Sequence, residues 1–419
     1  MRERVLKAVE SLNYRVTVGD VSAQSGLQLA LVQQELNSLA AAAEGSLQVS
    51  SSGEIVYAFD RDTKGILERK DRNAQLKALL KKIGETLFYL VRISFGILLV
   101  LSLLIIVVAI FILMTANSRD DDNGRSSSRD GGGFFPSFLI YDLQYLFWPD
   151  PYAQRTQRRG RNQDELGFLE SIFSFLFGDG DPNRNLDERR WQAIGNIIRS
   201  NQGVVIAEQL APYFDNPRVD SEDFVLPALV KFDGLPEVSE AGEIIYRFPQ
   251  LQTQAQERTS SLNRTTEFLQ EQLWKFSKAS GGQLAIAGGL GTLNFVGAWY
   301  LFFALSDASI PSELFWILPL IGVLVTYGTL FLAIPAVRYF VLQYLNRGIV
   351  DRNSYRSSFA RQLREANATL KQKLAFARQF ATKKVIASDD VIYSSDKSML
   401  EQRDTDLDAK RFKDLEDQP

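Results

Sequence analysis

Asp179, Asp181 and Asn183 stand at alternate positions of the run Gly178-Asp179-Gly180-Asp181-Pro182-Asn183-Arg184-Asn185-Leu186-Asp187, the spacing at which a calcium loop presents its side-chain oxygens. The fuller pattern is missing. Counted from Asp179, such a loop needs glycine sixth and a bidentate glutamate twelfth, where this chain has Arg184 and Arg190. These residues are therefore a weak metal candidate, and a turn leading into a helix through Trp191, with Asn185 or Asp187 accepting backbone N–H bonds, is the better reading. An enzyme built on the carboxylates of Asp179 and Asp181 would lack a second catalytic partner. The chain has no cysteine and no histidine, which removes disulfides, thiolate and imidazole metal sites, conventional iron-sulfur ligation and imidazole bases. No enzymatic activity and no cofactor are expected.

Binding chemistry is better represented than catalysis. The phrase Gly53-Glu54-Ile55-Val56-Tyr57-Ala58-Phe59 returns as Gly242-Glu243-Ile244-Ile245-Tyr246-Arg247-Phe248, each copy closing a block followed by a polar stretch and an apolar span. In the first block, Val5, Leu6, Val9 and Leu12 recur at helical spacing. Val18 to Ser25 and Leu27 to Ala42 give two more helices around Gly26, and a hairpin ends the block. Helices followed by a two-stranded hairpin form the winged variant of helix-turn-helix, so residues 1–60 and 186–250 are expected to be two winged-helix-like α+β modules. Winged helices often bind DNA, but Val16 to Asp60 contains no Lys or Arg, while Asp20, Glu35, Glu44, Glu54 and Asp60 are acidic. The second block sets Arg218, Lys231 and Arg247 against nine acids from Glu208 to Glu243. Such faces repel phosphate, so nucleic acid is not the expected ligand and polypeptide is. The candidate partner-binding residues are Gln28, Gln33 and Glu35 in the first module and Asp220, Glu222 and Asp223 in the second.

The elements that must hold these modules are apolar. Residues 93–116, 284–305 and 314–340 carry no formal charge over stretches long enough to cross about 30 Å of hydrocarbon, apart from Arg338 near the last end, so three transmembrane helices are expected. Lys77, Lys81, Lys82 and Arg92 precede the first; Arg338, Arg347, Arg352, Arg356, Arg361 and Arg364 follow the last. The excess of cations places both ends in the cytosol, which three crossings cannot satisfy. Residues 133–150 are accordingly read as a short return or re-entrant segment, after a flexible polar loop at 117–132 and before a basic linker at 151–165. The run Leu166 to Phe177, within 166–178, reads as an amphipathic interfacial helix. Apart from Arg338 at the last end, the clear spans carry none of the ionisable groups a transport pathway uses, and Asn294 alone is insufficient. Small residues form stripes at Ala285, Gly288, Gly289 and Thr292 and at Gly322, Thr326 and Thr329, which suits close helix packing and homo-oligomerisation. Connector helices are expected at 61–92 and 251–282. A basic amphipathic helix that docks a partner or lies on anionic lipid is expected at 345–385, and a charged tail at 386–419. The whole is a mainly α membrane protein.

Three further phrases are distinctive: Phe173-Ser174-Phe175-Leu176-Phe177-Gly178-Asp179-Gly180-Asp181-Pro182-Asn183, Leu226-Pro227-Ala228-Leu229-Val230-Lys231-Phe232-Asp233-Gly234, and Tyr246-Arg247-Phe248-Pro249. With them the chain resembles a family of cyanobacterial and chloroplast multi-span membrane proteins, some plant members of which are labelled iron-sulfur cluster biosynthesis proteins. The resemblance implies a thylakoid or plasma membrane of a photosynthetic cell. The expected function is a membrane-anchored scaffold or assembly factor that recruits protein partners on the cytosolic face; the alternative is a membrane-tethered winged-helix transcription regulator.

Overall fold

Apolar periodicity and turn residues divide the first sixty residues into α1 (Arg2–Ser11), β1 (Arg15–Thr17), α2 (Val18–Ser25), α3 (Leu29–Ala43), β2 (Ser46–Ser50) and β3 (Ile55–Ala58). Thr17 caps α2 through the Asp20 N–H while Asp20 returns the bond to the Thr17 N–H. Gly26, at φ 65°, ends α2 in the left-handed region that glycine adopts without steric cost. The computed structural model describes residues 1–70, 72–117, 167–218, 221–240, 242–256, 267–307 and 317–396. The expected loop at 117–132 (beyond Asn117), the return segment at 133–150, the linker at 151–165, Asp220 and the tail beyond residue 396 lie outside them.

The chain divides into two compact units, the first comprising Met1–Ala78, Pro182–Leu273 and Gly348–Pro419. In it a second set of elements repeats the first set's order: α7 (Leu186–Ser200), β4 (Val204–Val205), α8 (Ala207–Leu210), α9 (Leu226–Phe232), β5 (Leu235–Val238) and β6 (Ile244–Arg247). The strand orders match as well, β1-β3-β2 in the first set and β4-β6-β5 in the second, all antiparallel. Each set has its own core. Val5, Val9, Val21, Val32, Leu36 and Tyr57 fill one; Ile194, Ile198, Leu210, Val225, Phe232 and Phe248 fill the other. The sets meet where α2 crosses α7. A Cβ on Gly195 would stand 2.7 Å from Ala23 Cα, so glycine is what lets the two helices approach.

Three expectations for this unit are corrected. The connector helix expected at 251–282 is not formed by its described residues up to 280: α10 (Pro249–Gln252) and β7 (Thr253–Gln254) open the segment, and residues 267–280 contain no helix. The backbone of 267–273 is instead held by side chains, with Asn183 bonding Gln272 through both its amide atoms at 2.8 Å and Asn353 bonding Glu271 at 2.8 and 2.9 Å. The basic helix at 345–385 is broken after Arg364, and Asn367 starts a new helix α13 (Ala368–Gln379) by accepting the Leu370 N–H. The apolar face of α13 is covered within its own unit: Leu370, Leu374, Phe376 and Phe380 pack on Val204, Ile206 and Ile245. The block expected only as a charged tail, 386–419, contributes a strand among its described residues. β8 (Lys384–Val385) pairs with β7, and β9 (Val391–Ser394) joins the first sheet alongside β2.

The second unit, Leu79–Asp181 with Trp274–Arg347, contains most of α5 (Arg72–Asn117), which follows α4 (Thr63–Lys70) of the first unit, together with α6 (Phe168–Phe177), α11 (Gly281–Asp307) and the larger, N-terminal part of α12 (Ile317–Arg364). Three of the chain's helices, spanning Leu79–Leu113, Gly281–Ser306 and Leu318–Arg364, are long and apolar enough to cross a membrane. Their contacts are made by residues other than the expected stripes. A Cβ on Gly291 would meet the Phe331 ring at 2.4 Å and one on Gly297 would meet Ile106 at 2.6 Å, whereas Gly289 and Gly322 have nothing within 4 Å. Asn294, fully buried, donates to the Ser102 hydroxyl across the helices. The α6 helix packs its aromatic face on this bundle, with Phe95 edge-on to Phe173 and Phe177 at 5.7 and 5.0 Å.

Candidate functional site

Two sets of elements in the first unit open a cleft of about 500 Å³ between them. From the first set come Thr17 and Val18 at the start of α2, Gln28, Leu29, Ala30 and Gln33 at the start of α3, and the hairpin tip Gly53-Glu54-Ile55. From the second come Val230 and Asp233 at the end of α9, with Gln250 and Thr253 beyond β6. The local backbone explains the placement. Gln28 holds an extended conformation after the Gly26 turn, which starts α3 with Leu29 turned inward and Gln33 turned out. Gly53, at φ 79°, tightens the hairpin so that Glu54 and Ile55 project from its tip. No Lys or Arg lines the cleft; its charges are Glu54 and Asp233, neither of which forms an ion pair among the described residues. Val230 is 71% exposed at the cleft rim. Amide groups, two carboxylates and exposed Val and Ile make a surface suited to a polypeptide, and one without a cationic side chain to neutralise phosphate.

The five expected partner-binding residues that lie among the described ones separate here. Gln28 and Gln33 line the cleft; Glu35 lies on the same helix without lining it, and Asp223 is exposed elsewhere. Glu222 belongs to an internal cluster. It accepts from the Tyr246 hydroxyl and stands 2.8 Å from Lys373 Nζ, which also reaches Glu208 at 3.1 Å. Burial pulls the Lys373 ammonium down, but Glu222 and Glu208 outweigh it and hold the group above its ordinary value; burial and then Glu222 push the Tyr246 phenol up.

Asp20 and Asp215, also counted as surface charge, are paired with arginines, as is Glu271. Asp20 is fully buried, paired with Arg199 and accepting the Thr17 and Ala255 N–H groups at 2.9 and 3.0 Å. Arg356, fully buried, pairs with Asp215 and stands 2.8 Å from Glu271, which Arg352 also reaches at 2.6 Å. Burial alone would raise the Asp215 carboxyl, yet Arg356 and Arg190 lower it; Arg352, against burial and with Arg356, lowers Glu271. Nothing local in the sequence announces these pairs, because their partners lie far apart along the chain and share no periodic pattern. Arg352 and Arg356, read from sequence as topology signals, serve here as bonding partners. Arg338 likewise donates to the carbonyls of Ser174 and Phe175 at 3.2 and 3.0 Å, satisfying the end of α6.

Asp179, the first residue of the weak metal candidate, spends its oxygens on the Ser174 hydroxyl and the Lys278 N–H, both at 2.7 Å, and on Arg92 at 3.4 Å. Asn183 is committed to Gln272. Asn185 makes no side-chain cap on α7, and Asp187 instead stands 3.7 Å from Arg190. Among the described residues no three acidic side chains converge on one point. On the winged-helix reading α3 would be the recognition helix; it carries no Lys or Arg. Lys231 of α9 lies 4.3 Å over the Trp191 ring, where burial lowers its ammonium.

No protein-family model and no solved structure matches the chain. Its sequence is 37% identical over 438 residues to the chloroplastic protein At5g03900 of Arabidopsis thaliana, described as uncharacterized, an alignment covering 99% of this chain and 83% of that one.

Proposed function

The chain belongs to the family of the chloroplastic Arabidopsis protein At5g03900, and on that premise we propose that it is a membrane-anchored, non-enzymatic scaffold or assembly factor recruiting protein partners to the cytosolic face of a photosynthetic membrane. The observation that carries the reading is the cation-free cleft formed by Gln28, Gln33, Glu54, Val230 and Asp233. The matching element and strand orders of the two sets support treating each as a winged-helix-like module and the pair as a duplication. The three long apolar helices support anchoring in lipid, with the small-residue stripes at Gly289 and at Gly322 open to a second copy.

A membrane-tethered transcription regulator would use the same element order, and that order is the one observation in its favour. A recognition helix without cations cannot neutralise backbone phosphates, which is where most DNA affinity originates. The discriminating experiment isolates the full chain from native membranes after reversible crosslinking, as wild type and as a Gln33→Arg, Asp233→Arg double variant. The scaffold reading expects a defined polypeptide retained by the wild type and lost from the variant. Recovery of no polypeptide, or salt-dependent retention of duplex DNA in its place, contradicts it.

A further inference from the structure

The two sheets differ at one edge. In the first, β2 pairs with β3 on one side and with β9 on the other; in the second, the corresponding strand β5 pairs with β6 alone among the described residues. The correspondence is fixed by identical turns. Ser50 donates to Glu54 and Ser239 to Glu243, both at 2.9 Å, and Gly53 and Gly242 donate back to Ser50 and Ser239, again both at 2.9 Å. Leu47, Val49 and Ser51 of the first hairpin therefore match Pro236, Val238 and Glu240 of the second. Antiparallel pairing alternates, so these are the residues whose backbone groups point away from β3 or β6.

In the first sheet those outward groups are used. Ser51 N–H donates to Asp390 at 2.8 Å, Leu47 C=O accepts from Ser395 N–H at 3.0 Å, and Val49 faces Tyr393. Proline at the Leu47 position does not close the matching edge. Pro236 lacks an N–H, but the Leu47 N–H goes only to the Ser395 side chain, and the acceptor used by the incoming backbone is the carbonyl that proline keeps. The β5 edge is also apolar and open, with Leu235 47% and Val238 64% exposed. An unpaired edge of this kind is a template for a further strand.

We infer that β5 accepts an extended segment of a partner polypeptide as a fourth strand, antiparallel, as β2 accepts β9. Charge selects the occupant. Residues 232–246 contain Asp233, Glu237, Glu240 and Glu243 and no Lys or Arg, and among the described residues only Glu237 has an ion pair, with Arg247 at 2.6 Å. The fitting segment is apolar at alternate positions and carries Lys or Arg beside them. Pairing with β5 of a second copy would set these carboxylates and two prolines against one another, which disfavours that occupant. The inference rests on the reading of the chain as a recruiter of polypeptides and names one surface and one partner chemistry for it.

The test uses the full chain in lipid nanodiscs and, as probe, a fluorescent peptide bearing the β9 sequence 391–394 between lysine pairs. The expected result is saturable binding, peptide-dependent protection from hydrogen exchange at residues 235–240, and at least tenfold weakening by Val238→Pro, which removes an outward N–H, not one bonded to β6. N-methylation of the peptide's alternate amides should weaken binding equally, an arm that does not depend on how the protein variant folds. Absent binding, binding indifferent to both changes, protection at β2 in place of β5, or dimerisation of the chain through β5 would overturn it. If native partners are retained by Val238→Pro as well as by wild type, the edge inference fails and the scaffold reading stands. If the peptide binds as expected and no native partner is recovered, the scaffold reading fails alone.

Discussion

Asp20 on α2 and Arg199 on α7 form an ion pair in which the carboxylate is fully shielded from solvent, at the crossing of the two repeated sets. Removing one partner of a buried pair leaves the other charge uncompensated, at a cost of about 3–5 kcal/mol. Asp20→Ala also takes away the acceptor for the Thr17 N–H, one half of the capping box on α2, and the acceptor for the Ala255 N–H. Chemical unfolding of the first unit, followed through Trp191 fluorescence, should show a loss in this range; a loss below about 1 kcal/mol, the scale of an exposed pair, would contradict the burial.

Gly19 faces the backbone of Gln250 so closely that a Cβ would stand 1.9 Å from its carbonyl oxygen. Backbone cannot step aside as a side-chain end can, so Gly19→Ala should destabilise the unit by about 1–3 kcal/mol. Gly84→Ala on α5, with nothing within 4 Å, serves as control and should not destabilise. Equal melting temperatures for the two variants would refute the close approach.

Asp215 and Glu271 have carboxyls held below their ordinary values of 3.8 and 4.5. The folded chain binds these protons less readily than the unfolded chain, so their contribution is complete above the unfolded values and is lost as pH falls through the lower folded ones. Lys373 runs the opposite way. Its raised value gives stability that is full below 10.5 and lost as pH rises through the folded value. Stability of the wild type should therefore fall below about pH 4 and again above about pH 10.5, with Glu271→Gln flattening the acid limb and Lys373→Met the alkaline one. Unchanged limbs in those variants would show that other groups set the profile.

Because the chain contains no cysteine, a single Ser221→Cys reports on one position without background. Ser221 is exposed, and the cytosolic placement of the second module expects it to react with a membrane-impermeant thiol reagent only after the membrane is opened. Reaction in intact cells would reverse the topology.

The long apolar helices were legible in the sequence because hydropathy over a membrane thickness is a local property, summed along contiguous residues. Gln28 and Gln33 were reachable for a similar reason, since the Gly26 turn and the α3 pattern fix which residues begin that helix. Glu222 and Asp20 were misplaced as surface acids because their partners, Lys373 and Arg199, lie far away in the chain. The stretch 267–280 read as helix from its polar composition, yet bonds from Asn183 and Asn353 to its backbone satisfy what helical bonds would have satisfied. The pairing of β9 with β2 was hidden in the same way, because four residues of Val, Ile, Tyr and Ser near a charged tail carry no mark of which edge they will join.

The claim on which the account depends is that the cleft at Gln33 and Val230 receives a polypeptide. A photoreactive amino acid at Gln33, in the full chain in its native membrane, tests this directly, with the same residue at exposed Lys7 as control. The account predicts light-dependent, protease-sensitive adducts of defined mass at position 33 and none at position 7. Adducts sensitive to nuclease, or no adduct at position 33 beyond the control, would contradict it.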